Sequence, residues 1–441
     1  MKKSNSQTKC GDAAYWSKWA KTYKNELLRN VMPFWMKNGW DRKNGGVYTC
    51  VDRDGSLMDS TKSVWFQGRF GWMTAYAYNH VEKNPEWLEA SKSCCEFLEN
   101  HCFDKDGRAY FEVTEDGVGL RKRRYVFSEC FAAIAYAEYS LASGDKAWAK
   151  KSLALFKRIR KFVANPKKWM PSKYEPVVEG QGHSLTMILI NVANVIKQVS
   201  DDPILDQQIA ESIDLLTKYF IHPEFKALLE MVGPKGEFID TLAGRVINPG
   251  HCIETSWFLM DVATAGRGLP ALPECGVRGA PALPGRGKDG RVASPLAAAI
   301  DTDKLLKTAL QILDWSWDWG WDKKYGGIIS FKDCRNLPPQ CYEQDMKFWW
   351  PQCETIIATA YAYKLTGDAK YMKWHKLASE WAWKHLKDRK FPEWYGYLHR
   401  DGTVAQPAKG NIFKGPFHIP RMLVKAWELT GSIASNPPQS V

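Results

Sequence analysis

A chain of 441 residues is long enough for two average domains or one large one, and 45% hydrophobic residues place it among globular proteins. The net charge of +12 is spread over scattered lysines, with one run at Arg121-Lys122-Arg123-Arg124, which argues for solvated surface and against nucleic-acid binding. No apolar run approaches membrane-spanning length, the amino terminus lacks an apolar signal region, and the 11 cysteines show no CxxC or Cys/His ligand spacing, so reduced thiols in a cytoplasmic protein are expected.

Along the chain, Trp40-Asp41 leads through Gly45-Gly46 into Val47-Tyr48-Thr49, a short hairpin whose glycines supply positive φ angles. Two helix-length stretches follow, one with Trp72, Met73, Tyr76 and Ala77, the other from Trp87-Leu88 to Phe97-Leu98. Phe103-Asp104, Gly107 and Tyr110-Phe111-Glu112 open the next unit, and its first helix holds Ala132-Ala133-Ile134-Ala135-Tyr136-Ala137, small residues suited to crowding around an axis. Gly236-Glu237-Phe238 is a looser copy. Arg267 to Pro295 is rich in Gly, Pro, Arg and Ala without periodicity, and reads as a disordered insertion. Trp321-Asp322, Gly326-Gly327 and Ile328-Ile329-Ser330 repeat the first hairpin in register, and Glu393-Trp394-Tyr395-Gly396-Tyr397 is a last copy. Six helix pairs at a period of roughly 65 residues predict an all-α fold: an (α/α)6 barrel with short β-hairpins at one end, one domain over residues 1–441 with the insertion at 267–295. Most of the 21 tryptophans are assigned to its core, because a cleft holds only a few.

Each hairpin is followed by a helix start, and aligning the six starts puts Arg69, Glu129, Thr186, Glu254, Glu354 and Arg421 in one column. Three residues earlier stand Phe66, Val126, His183, His251, Pro351 and His418. Positions i and i+3 share a helix face, so converging starts make a ring of arginines, carboxylates and histidines. His251 with Glu254 and His418 with Arg421 are the candidate acid/base members, since a helix amino terminus favours a developing anion and a neutral imidazole. Glu254 and Glu354 fit either a glycosidase acid/nucleophile pair or groups that orient histidines and bind hydroxyls; two histidine bases favour the second role. Arg69 and Arg421 are placed to hold a substrate oxygen or to pair with the ring glutamates, and Tyr48 and Trp350 to pack on a sugar face or in the core. Glu129 and Thr186 are left without a role. No HExxH or comparable spacing is present, so no metal is expected, and no Walker loop is visible.

Together, Phe34-Trp35-Met36, Gly45-Gly46, Val64-Trp65-Phe66-Gln67-Gly68-Arg69, Phe127-Ser128-Glu129-Cys130-Phe131, Asn248-Pro249-Gly250-His251, Met346-Lys347-Phe348-Trp349-Trp350-Pro351 and Phe413-Lys414-Gly415-Pro416-Phe417-His418-Ile419-Pro420-Arg421 resemble the N-acylglucosamine 2-epimerase family, known in animals also as renin-binding protein. The resemblance runs from about Trp16 to about Gly431 outside the insertion. It implies an (α/α)6 barrel, interconversion of N-acetylglucosamine and N-acetylmannosamine, stimulation by ATP with no metal or redox cofactor, a homodimer, and binding of a renin-type protease. It carries the family's two histidines onto His251 and His418, and its arginines and ring carboxylates onto Arg69, Arg421, Glu254 and Glu354. Pro416 departs from relatives with cysteine there, and Leu185 to Ile196 has no leucine heptads, which counts against a zipper to renin. Rival readings are an aldose–ketose isomerase of mannose-like sugars, a glycoside hydrolase, and a protease-binding scaffold without catalysis.

Overall fold

The computed structural model describes residues 4–122, 125–171, 180–266 and 300–438; the insertion expected at 267–295 lies outside the described residues. Helix α1 (Ser4–Glu26) runs through a π-helical turn (Leu27–Val31) into α2 (Met32–Asn38). Then come α3 (Val64–His80), α4 (Pro85–His101), α5 (Phe127–Ser143), α6 (Lys146–Ala164), the single turn α7 (Pro166–Trp169), α8 (His183–Ile196) and α9 (Pro203–Leu215). The chain ends with α10 (Pro249–Gly266), α11 (Thr302–Gly320), α12 (Trp349–Thr366), α13 (Ala369–His385) and α14 (His418–Ser435).

Helices α3, α5, α8, α10, α12 and α14 each pack on the next, and α14 packs on α3, so the six close into an inner ring. Helices α4, α6, α9, α11 and α13 each pack on the inner helix before them, and α1 packs on α14. This is the (α/α)6 barrel.

Composition separates the two layers. Helix α5 is buried continuously from Ser128 to Ser140, whereas α6 buries one stripe of Ser152, Leu155, Phe156, Ile159 and Phe162. Gly68 sets the close approach of α3 to α5, since a Cβ there would stand 2.4 Å from the Phe131 backbone carbon. Left-handed Gly144 and Gly367 end α5 and α12, and the side chains of Asn84, Asp145, Asp202, Asp301 and Asp368 cap the outer helices that follow inner ones. Most tryptophans are buried, as their number required; Trp65, Trp349 and Trp350 face a cavity.

The strands gather where the inner helices begin, and some of them pair between repeats rather than within one. Lys62–Ser63 pairs with Glu112–Val113, Val246–Ile247 with Lys332–Asp333, and Lys347–Phe348 with Tyr397–Leu398. The hairpins read from the sequence shrink to single bridges, Trp40 to Val47 and Trp321 to Ile328 among them. These two are each clamped by a glutamine from the following inner helix. Gln67 bonds the N–H and C=O of Val47 (2.7 and 2.9 Å), and Gln352 does the same for Ile328 (2.8 Å each). A fully buried lysine sits behind each clamp, Lys62 on Asp41 at 2.7 Å and Lys347 on Asp322 at 3.1 Å. Two repeats a third of the chain or more apart thus build one device, which holds the mouth of the barrel rigid. No helix among the described residues is long and apolar enough to cross a membrane, and nine described cysteines are free.

Candidate active site

The starts of the inner helices surround a cavity of about 360 Å³. Arg69, His251, Glu254, Trp350, His418 and Arg421 all line it, so three of the six aligned starts and the tryptophan of the fifth start converge. A larger open groove, about 570 Å³, lies between α1 and the loop after α13 and contains none of these residues.

Both histidines are oriented by carboxylates through Nδ1. His418 Nδ1 lies 2.8 Å from Glu354 Oε1, and His251 Nδ1 lies 2.9 and 3.1 Å from the two oxygens of Glu230. An ionised carboxylate only accepts, so both Nδ1 atoms carry hydrogen and both Nε2 atoms are left for chemistry. The two rings flank Trp350, with centroids at 5.1 Å for His251 and 6.0 Å for His418. Arg421 Nη2 donates to Glu254 at 2.7 Å and to Glu354 at 2.6 Å, and Trp257 Nε1 donates to Glu354 Oε2 at 2.9 Å.

The sequence paired each charge with its own i+3 neighbour, and the structure pairs them across helices instead. His251 is held by Glu230 and not Glu254; Glu254 serves Arg421. Side chains at i and i+3 leave a helix start side by side and point into the cavity together, so their partners come from the facing wall. Glu254 and Glu354 are tied to one guanidinium nitrogen, which orients them and leaves neither as a free acid for glycoside cleavage.

The electrostatics of the two imidazoles are opposed. Burial and then the charges of Arg421 and Arg69 push His418 well below the ordinary histidine range. Burial also works against a charged His251, but Glu230, Glu254 and Glu354 outweigh it and raise His251 overall. The cavity therefore favours the charged form of His251 and the neutral form of His418. Arg69 is enclosed by rings, with Phe131 at 4.1 Å and Phe417 at 4.8 Å, and burial followed by the Arg421 charge lowers it to about 9. Arg69 Nε and Arg421 Nε are both buried without a protein partner. An oxygen that develops negative charge in the cavity would meet both groups.

Glu129, His183 and Tyr48 stand elsewhere. Tyr48 is outside the cavity lining: its hydroxyl faces Glu115 at 3.4 Å, and the Lys62 ammonium lies 4.9 Å from its ring. Glu129 accepts from Arg108 Nε at 2.6 Å and the Ala109 N–H at 2.9 Å, a structural clamp on its own hairpin. Buried His183 bonds Thr255 Oγ1 at 2.8 Å, and its Nδ1 stands 3.8 Å from Glu230. Glu230, between strands Ala227–Leu228 and Met231–Val232, is the functional residue that sequence reasoning missed. Its backbone position recurs as Phe111 and Gly396, whose carbonyls likewise accept from the first residue of an inner helix, so only its side chain sets it apart.

Two groups, His183 with Glu230 and His251, and Glu254 with Glu354 and His418, each bring three ligand atoms within 4.8 Å of one another. They are assembled from distant segments, so no local spacing announced them. In the second, the Arg421 guanidinium already bridges both carboxylates; in the first, the His251 atom nearest Glu230 is an N–H donor.

A family profile described as N-acylglucosamine 2-epimerase matches residues 46–272 and 292–416. The chain belongs to this family. That membership makes it an isomerase. The profile match breaks between 272 and 292, inside the stretch expected as an insertion. Among characterised relatives, the N-acylglucosamine 2-epimerase of Bos taurus is 30% identical over 95% of this chain and 92% of its own length. The cellobiose 2-epimerase of Bacteroides fragilis is 22% identical over 91% and 96%. Among solved structures, the cellobiose 2-epimerase of Bacillus thermoamylovorans superimposes with a TM-score of 0.75 at 20% identity, covering 93% of this chain and 99% of that one. A D-mannose isomerase gives 0.71 at 17%, covering 94% and 98%. These two likenesses carry the fold.

Proposed function

We propose that this chain interconverts N-acetyl-D-glucosamine and N-acetyl-D-mannosamine by removing and returning the C2 proton of the open-chain sugar. The observation that carries this reading is the pair of imidazoles on one cavity, each locked through Nδ1 by a carboxylate and each presenting Nε2, with surroundings that favour charge on His251 and disfavour it on His418. In the open-chain form C2 adjoins an aldehyde, so its proton is acidic enough to be taken by neutral His418. The electron pair moves into an enolate whose oxygen faces Arg69 and Arg421. Charged His251 then donates to the other face of C2, which inverts it; a single base would return the proton to its origin. In the reverse direction the two histidines exchange roles.

The test is turnover of N-acetylmannosamine in deuterated water, followed by NMR, with His251→Asn and His418→Asn beside the wild type. Product carrying deuterium at C2, lost in both variants, is the expected result. Product that keeps its C2 hydrogen, or a variant that retains activity, would sink the two-histidine scheme, and a ketose formed from mannose would move the reading to an aldose–ketose isomerase. On the family resemblance alone we further propose ATP as an activator, a homodimer, a cytoplasmic location and binding of a renin-type protease. Gly144-Asp145-Lys146 and the run from Arg121 contribute little to an ATP site: Gly144 and Asp145 are helix caps, and Arg121 and Lys122 are ion-paired to Glu112 and Asp104.

A further inference from the structure

The cavity has two unlike halves. Helices α10, α12 and α14 supply the histidines, carboxylates, Trp350 and Arg421, while α5 and α8 supply Phe127, Phe131, Met187 and Ile188. The lining also reaches further in along α8 than along its neighbours, ending at Asn191. Met187 and Asn191 are four residues apart and Ile188 and Asn191 three, so all share one helix face. Asn191 lies about 7.5 Å along the axis beyond the ring position Thr186, at 1.5 Å per residue, and its side chain leans back towards the helix amino terminus.

Asn191 is unusual for its place. Its chain neighbours Ile190, Val192 and Ala193 are buried, yet Asn191 is only half-buried, so its free surface faces the cavity. Its amide has no hydrogen-bond partner among the described residues, although an amide offers two donors and an acceptor. A lone amide at the end of an apolar recess complements another amide with an apolar tail.

We infer that the recess of Phe131, Met187 and Ile188 is the subsite for the N-acyl group of a 2-acylamido sugar, with Asn191 reading its amide. This rests on the proposed epimerase reading and extends it to the determinant of substrate class. With C2 between the two histidines, the acyl substituent has to leave C2 within the same cavity. The sugar's hydroxyl-bearing end is a poor occupant of this recess, because each hydroxyl would lose water against Phe131, Met187 or Ile188 with one amide to replace it. An acyl methyl loses nothing there.

The experiment compares kcat/KM for N-acetyl-, N-propanoyl- and N-butanoylmannosamine in the wild type, Met187→Ala, Ile188→Ala and Asn191→Leu, with thermal unfolding as the check on folding. Shortening either apolar wall should raise the butanoyl-to-acetyl ratio at least about tenfold, as expected for a pocket that gains two or three methylenes of space. Asn191→Leu should raise KM for N-acetylmannosamine about tenfold with kcat within about threefold, the loss of hydrogen bonds made equally in ground and transition states. Free mannose, which has no amide, should inhibit wild type and Asn191→Leu alike. A butanoyl-to-acetyl ratio that stays within twofold in both alanine variants overturns the acyl subsite. Parallel loss of mannose and N-acetylmannosamine binding in Asn191→Leu would make Asn191 a hydroxyl contact instead. A wild type that turns over no N-acylated sugar is a different result: it removes the proposed function, and this inference with it.

Discussion

Glu354 accepts three hydrogen bonds with two oxygens, and replacing it by glutamine leaves no arrangement that serves all three donors. Oε1 takes His418 Nδ1 at 2.8 Å and Arg421 at 2.6 Å, while Oε2 takes Trp257 Nε1 at 2.9 Å. If the glutamine oxygen stays at the Oε1 position, its NH2 opposes the Trp257 N–H, donor against donor. A buried donor without a partner costs about 1–3 kcal/mol. If the amide flips, its NH2 faces His418 and donates to Nδ1. The hydrogen of neutral His418 then moves to Nε2, and the base is gone. Loss of the correct tautomer in a histidine–carboxylate pair is worth up to about 10⁴ in kcat. Glu354→Gln is therefore expected to lower kcat by about 10²–10⁴ while Arg421 keeps Glu254 as a buried partner and the fold survives. The assay is initial-rate NMR on N-acetylmannosamine, with circular dichroism to confirm folding. The decisive control is Glu354→Gln with Trp257→Phe. Removing the indole N–H lets the glutamine oxygen face His418, and at least about tenfold of kcat should return, because the flip that spoils the tautomer loses its cause. A folded Glu354→Gln enzyme within threefold of wild type, or a double variant no better than the single one, would refute the reasoning.

Glu230→Gln removes the charge that does most to keep His251 protonated, so the alkaline limb of the kcat/KM–pH profile should move to lower pH while the acidic limb, set by His418, stays where it was. A shift of the acidic limb alone would contradict this division of roles. Arg69 has no carboxylate bonded to it, and burial lowers it to about 9; Arg69→Met should raise the melting temperature yet reduce kcat/KM at least about 10²-fold, the pattern of a charge kept for the transition state. At the far end of the barrel, burial pushes both Glu138 and Glu428 up to about 7, beside Asn79, Tyr76, His80 and Lys425. Their folded pKa values lie above the unfolded ones, so the folded state binds the extra protons, and stability falls as pH rises from about 4.5 to 7. Each group contributes about 3 kcal/mol to that fall. Glu138→Gln should flatten the profile and stabilise the protein at pH 8 relative to wild type, measured by denaturant unfolding at pH 5 and pH 8.

The barrel was legible because its causes are local and repeated. Gly144-Asp145 and Gly367-Asp368 write the same helix–turn–helix twice, and Trp40-Asp41 with Gly45-Gly46 recurs at Trp321-Asp322 with Gly326-Gly327. The aligned helix starts also named most of the charged and histidine residues that line the cavity, since a closed ring of equivalent helices brings equivalent ends together. The same alignment gave Glu129 no role and was silent on Glu230. Glu129 occupies the ring column but turns to Arg108, while Glu230 stands outside that column, at a strand position where other repeats carry Phe111 and Gly396. Tyr48, beside the ring in the sequence, was open to a sugar face or the core; the clamp of Gln67 on Val47 holds that segment so that Tyr48 faces Glu115.

By itself, the amino-acid sequence determined the helix pairs, their caps, the period that closes the ring and the set of polar residues at its mouth, because each depends on neighbours within a few turns of chain. Tertiary structure alone decided which carboxylate holds which histidine, that Arg421 bridges Glu254 and Glu354, and that the surroundings favour charge on one imidazole and disfavour it on the other. Those outcomes depend on distances of a few ångströms between helices remote in the chain and on the burial that lets such short distances govern charge.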